Sequence, residues 1–138
     1  MNRADLQRLS KMRQLEAQVL LKAGHYAGAY YLIGYAVECA LKARICKKVK
    51  HHDFPDRDLA LKSFTHDLPA LINTAELKTE LDAEIKANPQ FRLNWGVVAE
   101  WSESSRYATS ITEVEARGLC AACTDRKNGI LRWIKKRW

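Results

Sequence analysis

The sequence predicts an all-α protein, an up-and-down bundle of four to five helices, and three observations indicate this fold class. Apolar residues recur every three or four positions along most of the chain. No stretch alternates apolar and polar residues over several β-branched positions, which is the pattern of a half-buried strand. With only three prolines and six glycines, long helices form easily. The 138 residues have the length of one domain, predicted to span residues 1–138.

The first two helices are the most clearly marked. Asn2 and Asp5 have the spacing of a capping box, and the helix behind them is predicted from about Ala4 to Lys22, where Gly24 ends it. Its apolar stripe consists of Leu6, Leu9, Met12, Leu15 and Val19. A second helix is predicted from about His25 to Lys50. Glycine is costly inside a helix, so its small residues suggest close packing of another helix or a dimer seam; they are Ala27, Gly28, Gly34, Ala36 and Ala40.

The remaining elements are predicted to be shorter until the last helix. A polar connection leads to a third helix that Thr65 or Asp67 can cap. An amphipathic helix then ends at Asn88-Pro89. Residues 91–101 predict one or two helical turns, and residues 102–105 a loop. Thr112 and Glu115 form a capping box that begins the last helix, which is predicted to end near Lys136.

The overall charge favours anionic partners. The net charge is +7 and the pI is about 9.4, which suits nucleic acid, nucleotides or an acidic protein, although excess charge also serves solubility. Residues 1–22 mix charged and apolar positions, unlike a secretory signal, and no apolar run is long enough to span a membrane. The four cysteines suit reduced thiols, so the cytoplasm is the expected compartment. Cys120 and Cys123 form a lone CxxC without a second ligand pair, which predicts two small helical residues and no metal or cofactor.

Glu38 stands out because it lies inside the apolar second helix. It forms an i, i+4 pair with Lys42 in the favourable direction. Alternatively, Glu38 lies inside the bundle and is held by a basic partner from another helix, for which Arg106 is the obvious candidate. An unpaired buried carboxylate would be too costly. The sequence leaves both pairings open.

Two further stretches combine basic and aromatic residues. Trp95, Trp101, Arg106 and Tyr107 lie close together in the sequence; they either stack on bases and bind phosphate, or fill the core between short helices. The C-terminal stretch "ILRWIKKRW" is a basic amphipathic end whose cations are Arg132, Lys135, Lys136 and Arg137. These cations suit a solvated face and the negative end of a helix dipole.

Three stretches resemble the HEPN superfamily (higher eukaryotes and prokaryotes nucleotide-binding domains). They are "HYAGAYYLIGYAVECALKARI", "THDLPAL" and "NWGVVAEWSESSRY", followed by a long C-terminal helix, and the likeness covers about Ala4 to Trp138. The resemblance implies a helical bundle that commonly forms a homodimer. Many members are ribonucleases, often toxins, with a nucleotidyltransferase-like protein as antitoxin, and others are non-catalytic binding modules.

The ribonuclease members carry an arginine followed four to six residues later by a histidine, near the start of a late helix. Arg106 matches that arginine, but the following "YATSITEVEA" contains no histidine. The sequence therefore predicts a non-catalytic or degenerate module that binds nucleotide, RNA or a nucleotidyltransferase-like partner. The expected binding residues are Glu38, Lys42, Trp101, Arg106 and Tyr107, with Glu38 orienting Arg106, Arg106 holding a phosphate and Tyr107 stacking or donating a hydrogen bond.

Two alternatives remain. The first is an active, metal-independent ribonuclease, in which His51 or His66 is the base and Arg44 or Arg106 stabilises the phosphorane charge. Arg44 and His51 also match the arginine-to-histidine spacing, but at the end of the second helix. The second alternative is a purely structural dimerisation module that uses the small-residue face of that helix.

Overall fold

The computed structural model describes residues 1–49 and 56–138, and within them the chain is all-helical. The described residues form eight α-helices and one 3₁₀ helix (η1). The elements are α1 (Arg3–Lys22), α2 (Tyr26–Lys48), α3 (Arg57–Ser63), α4 (Leu68–Thr74), α5 (Lys78–Ala87), α6 (Pro89–Ala99), η1 (Glu103–Tyr107), α7 (Glu113–Thr124) and α8 (Ile130–Lys135).

The first two helices form a hairpin joined by a tight turn. The predicted capping box at Asn2 and Asp5 is confirmed, since each side chain accepts the other's backbone N–H. Gly24 has φ +82°, in the left-handed region that glycine adopts without strain. The N–H of His25 reaches back to the carbonyl of Leu20 at 2.9 Å, which completes a Schellman cap.

Helix α2 is the centre of the fold. It contacts α1, α4, α7, α8 and η1, so it is apolar around most of its circumference, as expected of a buried helix. A Cβ on Gly28 would lie 3.1 Å from the Leu20 side chain, and one on Gly34 would lie 2.2 Å from the Trp101 ring. Gly34, Ala36 and Ala40 are buried within the chain, which confirms the predicted close packing on this helix. Ala27 and Gly28 are partly buried, and the alternative of a dimer seam stays a prediction.

The exposed face of α1 also departs from expectation. Ser10 and Ala17 are fully buried because α1 meets α2 through these small side chains, and the Ser10 hydroxyl donates to the Ala36 carbonyl at 2.7 Å. Three of the five residues of the predicted apolar stripe consequently face outward, namely Met12, Leu15 and Val19. Among the described residues, none of the helices is long and apolar enough to cross a membrane.

The middle of the chain contains more helix than the sequence predicted. Helix α3 lies within what was predicted to be a polar connection, and Asp56 caps it. Of the two proposed caps for α4, Asp67 accepts the Ala70 N–H at 3.0 Å. Helix α6 has three turns instead of one or two, and η1 replaces the predicted loop at residues 102–105.

The predicted last helix is broken into α7 and α8. The capping box at Thr112 and Glu115 is confirmed, but the Asp125 carboxylate accepts the N–H groups of Lys127 at 3.2 Å and Asn128 at 2.6 Å, which turns the chain. A Cβ on Gly129 would lie 2.4 Å from the Asp125 carbonyl oxygen, so the turn requires glycine there. The local side-chain hydrogen bonds of Asp125 compete with helix continuation.

Candidate functional site: the His66 cleft

The site is built on Glu38, whose side chain is 1% exposed. A single oxygen, Oε1, accepts from Lys42 Nζ at 2.8 Å and meets His66 Nδ1 at 2.7 Å. The other oxygen, Oε2, is buried and has no hydrogen-bond partner among the described residues. The predicted pairing with Lys42 is therefore present, while the partner from another element is His66 and not Arg106.

His66 reaches Glu38 because it directly precedes α4, which packs on α2. The His66 side chain is 45% exposed, so one edge of the ring is accessible to solvent. In the tautomer that carries its proton on Nδ1, His66 donates a hydrogen bond to Glu38 Oε1. Nε2 then faces Glu103, whose Oε2 lies 3.6 Å away. The buried carboxylate thus fixes the orientation of the imidazole and leaves its second nitrogen available.

Trp101 connects the second wall of the site to α2. It is only 3% exposed, and its ring lies against Gly34 and stacks with Tyr31 at a centroid distance of 6.2 Å. The interpretation of Trp101 as a core residue is confirmed. Its predicted role in binding nucleotide or RNA stays a prediction. Trp101 holds the start of η1 against α2.

Arg106 and Tyr107 stand at the outer edge of the site, on η1. Arg106 Nη1 contacts Glu103 Oε1 at 2.7 Å, and the Arg106 guanidinium lies 4.8 Å from the centre of the Tyr107 ring. Hydrogen bonding to Tyr107, followed by the charge of Glu103, raises the pKa of Arg106. Tyr107 is 74% exposed. Arg106 does not pair with Glu38 as predicted, because Glu103 and His66 lie between them.

These contacts form a connected series of ionisable side chains beside an open cleft. The series runs from Lys42 through Glu38, His66 and Glu103 to Arg106. The cleft has a volume of about 440 Å³ and is lined by residues 65–67, Pro69, Ala99, residues 101–104 and Tyr107. We call it the His66 cleft. A cleft of this size holds a ligand of nucleotide dimensions.

The remaining sequence candidates lie elsewhere. Arg44 donates to the carbonyls of Ala75 at 3.4 Å and Arg137 at 3.0 Å, so its guanidinium is used to join the ends of helices. His51, its predicted catalytic partner, lies outside the described residues. Cys120 and Cys123 are buried, and burial raises the pKa of Cys120 to about 11 and that of Cys123 further. The described residues bring together no group of three potential metal ligands.

Two members of the site were not predicted in their observed roles. His66 was considered only as a base for RNA cleavage, and Glu103 was not considered at all. A signal for His66 exists in the sequence, because it stands immediately before the cap of a helix that must pack on α2. No comparable signal marks Glu103. Its position beside His66 depends on the packing of Trp101 against Gly34.

Comparisons with models of known protein families, with curated proteins and with solved structures find no significant match to this chain.

Proposed function

We propose that the chain is a HEPN-like module, non-catalytic or degenerate, that binds a nucleotide or single-stranded RNA in the His66 cleft. One observation carries the proposal. The three stretches that carry the resemblance contribute Glu38, His66 and the Trp101-to-Tyr107 segment, and these distant stretches meet at one cleft. Charged and aromatic groups gathered in this way at an open cleft favour a binding site over a purely structural role.

Each residue then has a distinct role. Arg106 binds a phosphate group, exchanging part of its contact with Glu103 for the ligand, because its planar guanidinium matches phosphate oxygens. Tyr107 presents an exposed ring for stacking on a base. His66 donates or accepts a hydrogen bond from a position fixed by Glu38. Lys42 supports the site through Glu38, and Trp101 forms part of the cleft wall.

Binding can be measured by fluorescence anisotropy with a labelled single-stranded RNA and with nucleotides as competitors. Arg106→Gln and Tyr107→Ala should each weaken binding by about tenfold, because each removes a contact to phosphate or base. Both side chains are exposed, so folding should be preserved. Arg92→Gln, at an exposed position on α6, is the charge-matched control and should bind as the wild type does. Equal affinity of all three variants and the wild type would contradict the proposal.

A second candidate function is metal-independent RNA cleavage, which the Glu38–His66 contact at 2.7 Å favours. His66 Nε2 would take the proton from a ribose 2′-hydroxyl. That oxygen would then attack the adjacent phosphorus and displace the 5′-oxygen, which leaves with a proton from water or the protonated imidazole. Arg106 would stabilise the charge on the phosphorane. A histidine held by a buried carboxylate is the arrangement that such proton transfer requires.

The same samples separate binding from cleavage. Labelled RNA is incubated in the presence of a metal chelator with the wild type, His66→Gln and the exposed control His25→Gln. Cleavage that is lost only in His66→Gln would establish the ribonuclease and overturn the non-catalytic reading. Intact RNA in all three samples, together with binding, would leave the module as a binder.

The remaining partners belong to the same proposal. We propose that the chain forms a homodimer through the exposed apolar face of α1, defined by Met12, Leu15 and Val19. A nucleotidyltransferase-like protein, as in a toxin–antitoxin pair, is the second proposed partner and rests on the resemblance alone. A monomeric mass in sedimentation at high protein concentration would contradict the homodimer.

A further inference from the structure

A second cleft lies where α1 meets the turn between α7 and α8. It has a volume of about 430 Å³ and a partly apolar floor formed by Cys123 and Leu131. Four cationic side chains line it, and Asp125 is the one carboxylate among its lining residues. The cations are Arg126, Arg132, Lys135 and Lys136. We call it the basic cleft.

The four cations of the basic cleft form no salt bridge within the described residues. Within residues 1–49 and 56–138, none of its four cations lies within salt-bridge distance of a carboxylate. Asp125 forms no salt bridge with them, and its Oδ2 accepts the backbone N–H groups of Lys127 at 3.2 Å and Asn128 at 2.6 Å. By contrast, Arg137 on the same C-terminal stretch lies 2.5 Å from Glu80. The lack of partners is therefore a property of this cleft and not of the whole C-terminus.

Two lysines, Lys135 of the cleft and Lys11 beside it, lie near the same Trp138 ring. Lys135 Nζ donates to Gln14 Oε1 at 2.8 Å and lies 5.8 Å from the centre of the Trp138 ring. Lys11 Nζ lies 5.7 Å from the centre of the same ring. Partial burial, followed by the charge of Lys11, lowers the pKa of Lys135. Gln14 and Trp138 thus hold Lys135 in place without neutralising it, and an anion in the cleft would relieve the repulsion.

We propose that the basic cleft binds the phosphate groups of a polyphosphate ligand, either a free nucleotide or the backbone of a single RNA strand. Two of the four cations are arginines, whose planar forks bind phosphate oxygens in pairs. The four cations come from two segments, the inter-helix turn and α8 with its C-cap, and this arrangement suits a ligand with two or more linked phosphates. The volume suits a nucleotide-sized group, and the apolar floor accepts a ribose or base edge.

This site is independent of the His66 cleft. The two sets of lining residues share no member: the basic cleft is lined from α1, α7, α8 and the turn between them, whereas the His66 cleft is lined from α4, α6, η1 and their flanking residues and is anchored on α2 through Glu38. Failure of one proposal therefore leaves the other intact. Variants in each cleft can be compared directly on the same ligands.

The test uses the full chain with Arg132→Gln and Lys136→Gln combined. Both residues are exposed and belong to no hydrogen bond of their side chains within the described residues, so the variant should fold normally. Lys86→Gln combined with Arg92→Gln removes the same two charges from exposed positions outside the cleft and is the control. Thermal unfolding of both variants confirms that any change in binding does not come from unfolding.

Binding of inorganic tripolyphosphate is measured by calorimetry and that of a short RNA strand by anisotropy, over a series of salt concentrations. The cleft variant should lose at least about tenfold in affinity for the ligand that the cleft binds. For RNA, the salt slope should also fall by about 1.4, since each phosphate contact to a single strand contributes about 0.7. Loss for tripolyphosphate alone identifies a free nucleotide as the ligand class, and loss for RNA alone identifies the strand.

Three outcomes would overturn the proposal. The first is that the wild type binds neither ligand at low salt. The second is that the control variant loses as much affinity as the cleft variant, since binding would then follow net charge. The third is that polyglutamate binds as tightly as tripolyphosphate and is equally weakened in the cleft variant, which would identify a surface for acidic proteins.

Discussion

The two clefts differ in how their charges are balanced. In the His66 cleft, the cations Lys42 and Arg106 each face a carboxylate, and the carboxylates are joined through His66. In the basic cleft, four cations lie with a single carboxylate, that of Asp125, which accepts the backbone N–H of Asn128 and forms no salt bridge with them. A balanced chain of charges fixes side-chain orientation, which suits specific recognition or proton transfer. Unbalanced charge attracts anions broadly and responds strongly to salt.

The clefts also differ in how deeply they are anchored. The His66 cleft rests on buried side chains, because Glu38 and Trp101 are both almost fully enclosed. The basic cleft is formed mainly by exposed side chains above the turn at Asp125. Substitutions that disturb the buried anchors of the first cleft should therefore cost folding free energy, whereas substitutions at the exposed cations of the second should change binding only. Three predictions test this difference, beginning with the largest effect.

Gly34→Ala should be the most damaging single methyl addition. The new Cβ would lie 2.2 Å from the Trp101 ring, so Trp101 must leave its seat. We expect a loss of about 3 kcal/mol in unfolding free energy, measured by urea denaturation. Gly96→Ala and Gly118→Ala are matched controls in α6 and α7, because a Cβ there has nothing within 4 Å. Each control should gain about 0.5–1 kcal/mol from helix propensity. A neutral Gly34→Ala would contradict the packing of Trp101 on α2.

Glu38→Gln should have the next largest effect. The amide keeps the shape of the carboxylate but loses the charge that faces Lys42 and His66 at 2.8 and 2.7 Å. Hydrogen bonds to charged groups contribute about 1.5–3 kcal/mol, so we expect a loss of about 2 kcal/mol in unfolding free energy. The Arg132→Gln and Lys136→Gln pair should stay within about 0.5 kcal/mol of the wild type. Equal stabilities in the two variants would remove the distinction between the clefts.

The smallest effect is expected at alkaline pH, from thiols behind the His66 cleft. Burial, followed by the Glu38 charge, raises the pKa of Cys39 to about 11 from an ordinary value of 9.0. The unfolded chain therefore loses this proton first, so the stabilisation is complete below pH 9 and is lost as the pH rises through 11. Its slope is at most about 1.4 kcal/mol per pH unit for one thiol.

Unfolding free energies measured between pH 8 and 11 should show this loss, and Cys39→Ala should flatten the slope. Burial also raises the pKa of Cys120 to about 11, whereas the charge of Arg117 acts to lower it. Glu38→Gln should therefore reduce the contribution of Cys39 and leave that of Cys120 unchanged. An identical alkaline slope in the wild type and Cys39→Ala would show that Cys39 is not held protonated.

The helix starts could be predicted from the sequence because capping is local. The acids that complete the capping boxes stand three positions after Asn2 and Thr112, and both caps are present. The break after α7 was missed because the apolar residues on both sides of the polar stretch 124–129 were assigned to one helix, although Asp125 and Gly129 mark the turn. The 3₁₀ helix at residues 103–107 was missed although its local contacts are encoded in the sequence, namely the Ser102 cap and the Glu103–Arg106 pair.

The sequence by itself determined that this chain is helical, where most helices begin, and that Glu38 needs a charged partner. Those conclusions follow from periodicity, capping and the cost of burying a carboxylate. Only the tertiary structure decided which partner from another element faces Glu38, because Arg106 and His66 can each donate a hydrogen bond to a buried carboxylate. Lys42, on the same helix, contacts Glu38 as well. The choice of His66 depends on how α4 packs on α2 and on the seat that Gly34 provides for Trp101. Such contacts join residues far apart in the chain, and no local pattern specifies them.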